Sequence, residues 1–130
     1  MKIFRAAQVP SEGGDPKTFT GEVIRSTLAG DKTGTPVNVY RVEFAPGART
    51  HWHTHTGPQW LLVSEGRIRV QTLGEPATEV VAGDAVVIHP GEKHWHGASA
   101  RERGVHLAIN VNASTNWLEA VSDEQYESLG

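Results

Sequence analysis

The sequence holds seven histidines, six of them between His51 and His96. His53 and His55 stand two residues apart, Gln59 follows four residues on across a Thr56-Gly57-Pro58 bend, and His94 and His96 repeat the two-residue spacing. On a strand, side chains at i and i+2 leave the same face, so each pair presents two imidazoles together. If the two strands are neighbours in one sheet, three or four ring nitrogens and one amide oxygen converge. Such a group of neutral donors suits a divalent transition metal, for which imidazole is the commonest protein ligand. One such pair would more often be polar decoration of a half-exposed strand. Two pairs, each beside a Gly or Pro turn, weigh toward a metal site. His51 shares the parity of His53 and His55, and reads equally as a structural residue or as one that orients a ligand.

The elements that must position these residues read as short strands separated by Gly/Pro turns. Val37 to Phe44 alternates, with Asn38, Tyr40, Val42 and Phe44 on one face. Ala45-Pro46-Gly47 turns the chain, and Arg49 to His55 alternates again. Gln59 to Val63 is an apolar run that Ser64-Glu65-Gly66 should end as a hairpin turn. Arg67 to Leu73, Thr78 to Val81, Ala85 to His89 and Lys93 to Gly97 follow as strands. Val105 to Asn112 sets Val105, Leu107, Ile109 and Val111 against His106, Ala108, Asn110 and Asn112. Many short strands at this spacing predict an all-β sandwich or barrel. Ser122 with Gln125 forms a candidate capping box for a short helix within Trp117 to Leu129. Met1 to Asp31 is less regular, with one edge strand expected within Phe19 to Leu28.

The 130 residues fit one domain, 1–130, with a barrel core at about 37–112. There are no cysteines, which removes disulfide frameworks, thiolate zinc sites and cysteine nucleophiles. Twelve basic and fifteen acidic residues give a net charge of -3. With no basic stripe, neither nucleic acid nor an anionic membrane is an expected partner. No signal peptide and no apolar stretch of membrane-spanning length is read, so a cytoplasmic protein with a small-molecule substrate is expected.

At Gly47, His53, His55, Gln59 and Gly66, and again at Gly83, Pro90, Gly91 and His94, the sequence resembles the cupin family, whose two motifs carry these residue types at these spacings. Gln59 stands where the motif usually has glutamate. A narrower similarity joins Glu43 to Thr50 (EFAPGART), Pro90 to Ala98 (PGEKHWHGA), Val105 to Ile109 (VHLAI) and Val121 to Tyr126 (VSDEQY) to small bacterial manganese cupins with hydroxynitrile lyase activity, a group that also carries this glutamine. The resemblance implies a single-domain jelly-roll barrel with a short C-terminal helix, and a homo-oligomer, dimer or tetramer. It implies one divalent metal per chain on His53, His55, Gln59 and His94, with Mn(II) favoured and Fe(II), Zn(II), Ni(II) or Co(II) as competitors. It also implies that His106 lines the pocket as a candidate base. Tyr40 and Asn110 differ from residues these lyases can carry, which leaves the substrate open.

Three imidazoles and an amide bring no negative charge, so a metal held by them keeps close to its full +2. No carboxylate is at hand as a base. His106 and, second to it, His96 are the candidate catalytic groups. Tyr40, Val42 and Asn110 are the expected substrate pocket, with Trp60 and Trp95 as further candidates to shape it. Trp52, Trp60, Trp95 and Trp117 are aromatics of a kind that more often serve core or interface. The function expected is a metal-dependent lyase that breaks or forms a carbon–carbon bond beside an oxygen. A metal-dependent dioxygenase and a non-catalytic small-ligand or sugar-binding module are the competing readings.

Overall fold

The computed structural model describes residues 1–30 and 34–130; Asp31, the end of the irregular N-terminal stretch, lies outside them. Among these residues twelve strands and one short helix occur, in the order β1 (Ser11–Gly13), β2 (Phe19–Thr20), β3 (Val23–Ala29), β4 (Val37–Phe44), β5 (Arg49–Thr50), β6 (His53–His55), β7 (Gln59–Thr72), β8 (Thr78–Val81), β9 (Ala85–Ile88), β10 (His94–Ala98), β11 (Gly104–Val111), β12 (Thr115–Trp117) and α1 (Asp123–Tyr126). The expected all-β barrel with a short C-terminal helix is therefore present. The paired strands run antiparallel and form one curled sheet ordered β1-β3-β4-β11-β7-β10-β5-β2, with β8 and β9 on β7 and β6 between β10 and β12.

The barrel curls because β7 belongs to both walls. Its first half pairs with β11 and β9, its second half with β10 and β8. The expected hairpin at Ser64-Glu65-Gly66 is a bend within this one 14-residue strand. The ladder with β11 slips there, from Val105↔Glu65 to His106↔Val63, and Gly66 takes φ 66°. This is a β-bulge, which bends a strand without ending it. It also reverses the strand's parity. Gln59, Leu61 and Val63 are buried before it, and Ile68 after it. A Cβ on Gly66 would collide with the Arg103 carbonyl, so the bend needs glycine.

The outer faces differ. Outside β10 and the second half of β7, Trp52 and Trp95 pack with Ala77, just before β8, and with Val121 and Tyr126 of the C-terminal segment. The guanidinium groups of Arg49 and Arg69 each lie 4.4 Å from the Tyr126 ring centroid, and the Tyr126 hydroxyl donates to the Ala98 carbonyl. Helix α1 carries the expected capping box between Ser122 and Gln125. Trp95 is thus part of this outer layer, its indole N–H bonded to Gln71, and does not shape the pocket. Trp60 is also outside: Gln59 and Leu61 take the inward positions of β7, which leaves Trp60 45% exposed. No helix is long and apolar enough to cross a membrane among the described residues.

The N-terminal stretch holds more than one edge strand. Phe19 to Leu28 divides at Gly21, φ 83°, into β2 on β5 and β3 on β4. Arg49 to His55 is likewise not one regular strand. His51 and Trp52 form a break between β5 and β6, at which the Trp52 N–H bonds to Glu119 and its carbonyl accepts from Leu118. Thr50 and His53 consequently face the same cavity, three residues apart, and the parity shared by His51 with His53 does not carry His51 inward.

Candidate metal centre

The condition set by the histidine spacing is met. Strands β6 and β10 are antiparallel neighbours in register His94↔His53, so both pairs leave the same inner face. The His53 ring centroid lies 4.2 Å from that of His94 and 5.0 Å from that of His55, and His55 and His94 are 5.3 Å apart. Gln59 opens β7 on the adjoining wall. All four side chains are buried.

Each ring is held by its Nδ1. His53 Nδ1–H donates to the His51 carbonyl and His94 Nδ1–H to the Glu92 carbonyl, both at 2.8 Å. His55 Nδ1 meets the Thr115 hydroxyl at 3.0 Å. A neutral imidazole that donates from Nδ1 carries its lone pair on Nε2, the arrangement that orients a metal ligand. His51 therefore acts through its backbone oxygen. Gln59 Nε2 donates to Asn110 Oδ1 at 2.8 Å, which turns Gln59 Oε1 toward the imidazoles. His55 Nε2, Gln59 Oε1, His94 Nε2 and His96 Nε2 are buried with no hydrogen-bond partner in the protein. Buried polar atoms are rarely left unpaired, and those of His94 and His96 lie within 4.8 Å of each other and of a His53 nitrogen. That observation fits a cation held among them.

Burial lowers the pKa of His53, His55 and His94, that of His94 to about 4. The rings stay neutral near pH 7 and keep their lone pairs available. The nitrogens of His53, His94 and His96 all lie within 4.8 Å of one another, a group that takes in His96 and leaves out His55. The His96 ring is nevertheless farther out by centroid, 5.2 Å from His53 and 5.8 Å from His94, and its Nδ1 is 2.9 Å from His106 Nε2. His96 thus lies beside His53 and His94 and is tied to His106.

The cavity is about 110 Å³, lined by Phe19, Arg25, Tyr40, Val42, Thr50, His53, His55, Gln59, His96, Ala108, Asn110, Thr115 and Trp117. Tyr40, Val42 and Asn110 are among the lining residues. His106 is not: it is fully buried behind His96, with the Phe44 ring 5.3 Å away, and it meets the cavity through His96 alone. Sequence reasoning missed Phe19, Arg25, Thr50, Thr115 and Trp117. Phe19 and Trp117 pack together at 5.8 Å from strands at opposite ends of the chain, a proximity that no local pattern encodes. Arg25 had a signal, a charge at an alternate position of a short strand whose parity becomes readable only once β3 is paired with β4.

A family model described as "Cupin domain" matches residues 40–110. Among curated proteins, the (R)-mandelonitrile lyase of Granulicella tundricola is 40% identical over 129 residues, 97% of this chain and 98% of that protein. The dimethylsulfoniopropionate lyase DddW of Ruegeria pomeroyi is 36% identical over 112 residues, 85% of this chain and 71% of that one. The crystal structure of a cupin-like protein from Thermotoga maritima superposes with a TM-score of 0.87 at 40% identity, covering 90% of this chain and 92% of that one. With its curled antiparallel sheet, its inward-facing histidines and these relatives, the chain belongs to the cupin family.

Proposed function

We propose that the protein is a metal-dependent lyase that cleaves or forms a carbon–carbon bond next to an oxygen, as in a cyanohydrin. The observation that carries this reading is the set of buried, partnerless atoms on His55, Gln59 and His94, beside a His53 anchored in the same way and a small half-open cavity. His53, His55, Gln59 and His94 would hold one divalent ion, with Mn(II) the proposed occupant. Bound there with no anionic ligand, such an ion supplies Lewis acidity, polarising an oxygen and stabilising charge that develops on it.

The protein's own residues do the rest. His96 presents Nε2 to the cavity, and His106 fixes its tautomer. With His96 Nδ1–H donating to His106 Nε2, His96 Nε2 is a base. It takes the hydroxyl proton of a cyanohydrin. The O–H electron pair becomes the second bond of the carbonyl, the carbon–carbon bond breaks, and the departing cyanide takes the proton back from Nε2. Burial, the first cause, and the surrounding imidazoles lower the His96 pKa well below the usual value, which keeps Nε2 unprotonated near pH 7 and free to take a proton. Phe19, Val42, Ala108 and Trp117 supply the apolar walls that exclude water, and an apolar cavity of about 150 Å³ admits a benzene ring, so the 110 Å³ here with its open mouth suits a small substrate. The named activity of the Granulicella tundricola relative supports the same chemistry.

The test is to purify the chain, measure its metal, load it with Mn(II) or Fe(II), and follow carbonyl release from aromatic and aliphatic cyanohydrins. About one ion per chain and turnover in the Mn(II) form are expected, with His53→Ala losing both. Oxygen consumption by the Fe(II) form without cyanohydrin cleavage would overturn the lyase in favour of a dioxygenase.

We further propose a homo-oligomer built on the outer face of β4, β11, β7 and β9. Trp60 pairs in register with Ile109 and Val87, Leu62 with Leu107, and Ile109 with Val39. Trp60, Leu62 and Val87 are each 38–45% exposed, and the C-terminal segment covers the other wall only. Trp60→Glu should convert a dimer or tetramer to monomer in light scattering; an unchanged mass would remove this face from the assembly.

A further inference from the structure

Among the side chains that line the cavity, Arg25 is the one that carries a full charge near pH 7. It stands on β3 directly across from Val42 of β4, so it occupies an inward position where the neighbouring strands place Tyr40, Val42 and Ala108. The side chain reaches the mouth, being 37% exposed, and its guanidinium carbon lies 5.4 Å from the Tyr40 ring centroid. Its partner is Glu12, 2.6 Å away, from the edge strand β1 in direct register with it. Glu12 is 64% exposed, and an exposed ion pair of this kind is weak and exchangeable.

We propose that Arg25 forms an anion subsite at the cavity mouth, so that the substrate is a small oxygenated molecule with a carboxylate at the end away from the histidines. The planar guanidinium accepts a carboxylate in two-pronged fashion. Stacked on Tyr40, it keeps that orientation, and the substrate carboxylate takes the place of the Glu12 carboxylate. Phe19, Trp117 and Tyr40 provide flat apolar surfaces between the two ends, which fits a ring or short chain joining carboxylate to reacting carbon. The chemistry at the histidine end rests on the lyase reading above; the anion subsite does not.

The probes are 4-formylbenzoate and its neutral isostere 4-formylbenzamide, titrated calorimetrically into the metal-loaded protein. Wild type should bind the carboxylate at least about tenfold tighter than the amide, the gain expected of one charge-assisted pair. Arg25→Met should bring the two affinities together by weakening the carboxylate, Arg25→Lys should restore part of the difference, and Glu12→Gln should widen it by freeing the guanidinium. A carboxylate preference that survives in Arg25→Met would overturn the subsite, because another group would then be holding the anion. Equal affinity of the two probes for wild type would overturn it as well. Cyanohydrin turnover is read separately, so a protein that shows the Arg25-dependent preference but cleaves no cyanohydrin keeps the subsite and loses the lyase.

Discussion

Acid should destabilise the metal-free protein well above the pH at which its carboxylates titrate, because the histidine cluster folds only when neutral. Burial is the main cause that lowers His94 and His106, each to about 4. In the unfolded chain both return to about 6.5. Between these values the unfolded state binds more protons, so stability is full above about pH 6.5, falls as pH falls through the window, and levels off below about pH 4. Moving from pH 7 to pH 5 costs about 2 kcal/mol for each of the two, so about 4 kcal/mol together. His53 and His96, lowered well below the usual value chiefly by burial, push the loss in the same direction. For a chain of this size about 4 kcal/mol is a fall in Tm of roughly 12–20 °C. Thermal melts by circular dichroism, on chelator-treated protein at pH 7, 6 and 5, measure it. Glu43, held below the usual carboxylate range chiefly by Arg41, loses its contribution only as pH drops below about 4.5, so the window isolates the histidines. A Tm that moves by less than about 4 °C between pH 7 and 5 would refute the claim that these rings are buried and uncharged.

The remaining predictions concern single residues. Gln59→Glu should retain the metal, since a carboxylate also ligates, but slow turnover on the order of tenfold by placing a negative charge beside the ion; elemental analysis and steady-state rates separate the two effects. His106→Phe should keep the metal and lower kcat by about 10²- to 10⁴-fold, because His96 Nδ1 loses the partner that sets its tautomer; unchanged kcat would remove His106 from the mechanism. Gly66→Ala should cost about 2–3 kcal/mol in urea denaturation, because φ 66° and the Arg103 carbonyl both oppose a Cβ at the bend of β7.

How much of this was legible in the sequence depends on whether a residue's position follows from its own strand or from a partner strand. The i, i+2 spacing of His53–His55 and His94–His96 survives intact because each pair lies within one regular strand, and strand periodicity is local. Val37–Phe44 was legible, ends included, for the same reason. Parity read along a longer stretch fails where the backbone inserts a residue. The break at His51 and Trp52 interrupts the parity His51 shares with His53 and His55, and the bulge at Ser64–Gly66 made one strand out of an expected hairpin. The alternation of Val105 to Asn112 was legible, and the reading of His106 and Asn110 as pocket residues put their face inward, against the apolar one. The apolar residues Leu107 and Ile109 face outward and stay half-exposed, while His106, Ala108 and Asn110 are buried. A strand normally sends its apolar face to the core. Here the inner face is given to polar groups that satisfy one another, as Gln59 with Asn110 and His96 with His106 do, and the apolar face is left to the outside. With His106 and Asn110 on the inward positions of β11, Leu107 and Ile109 are left to its outer face. Trp60, Leu62 and Val87 stand exposed on the same outer face, so the inward His106 and Asn110 and the proposed subunit contact follow from one choice of strand register.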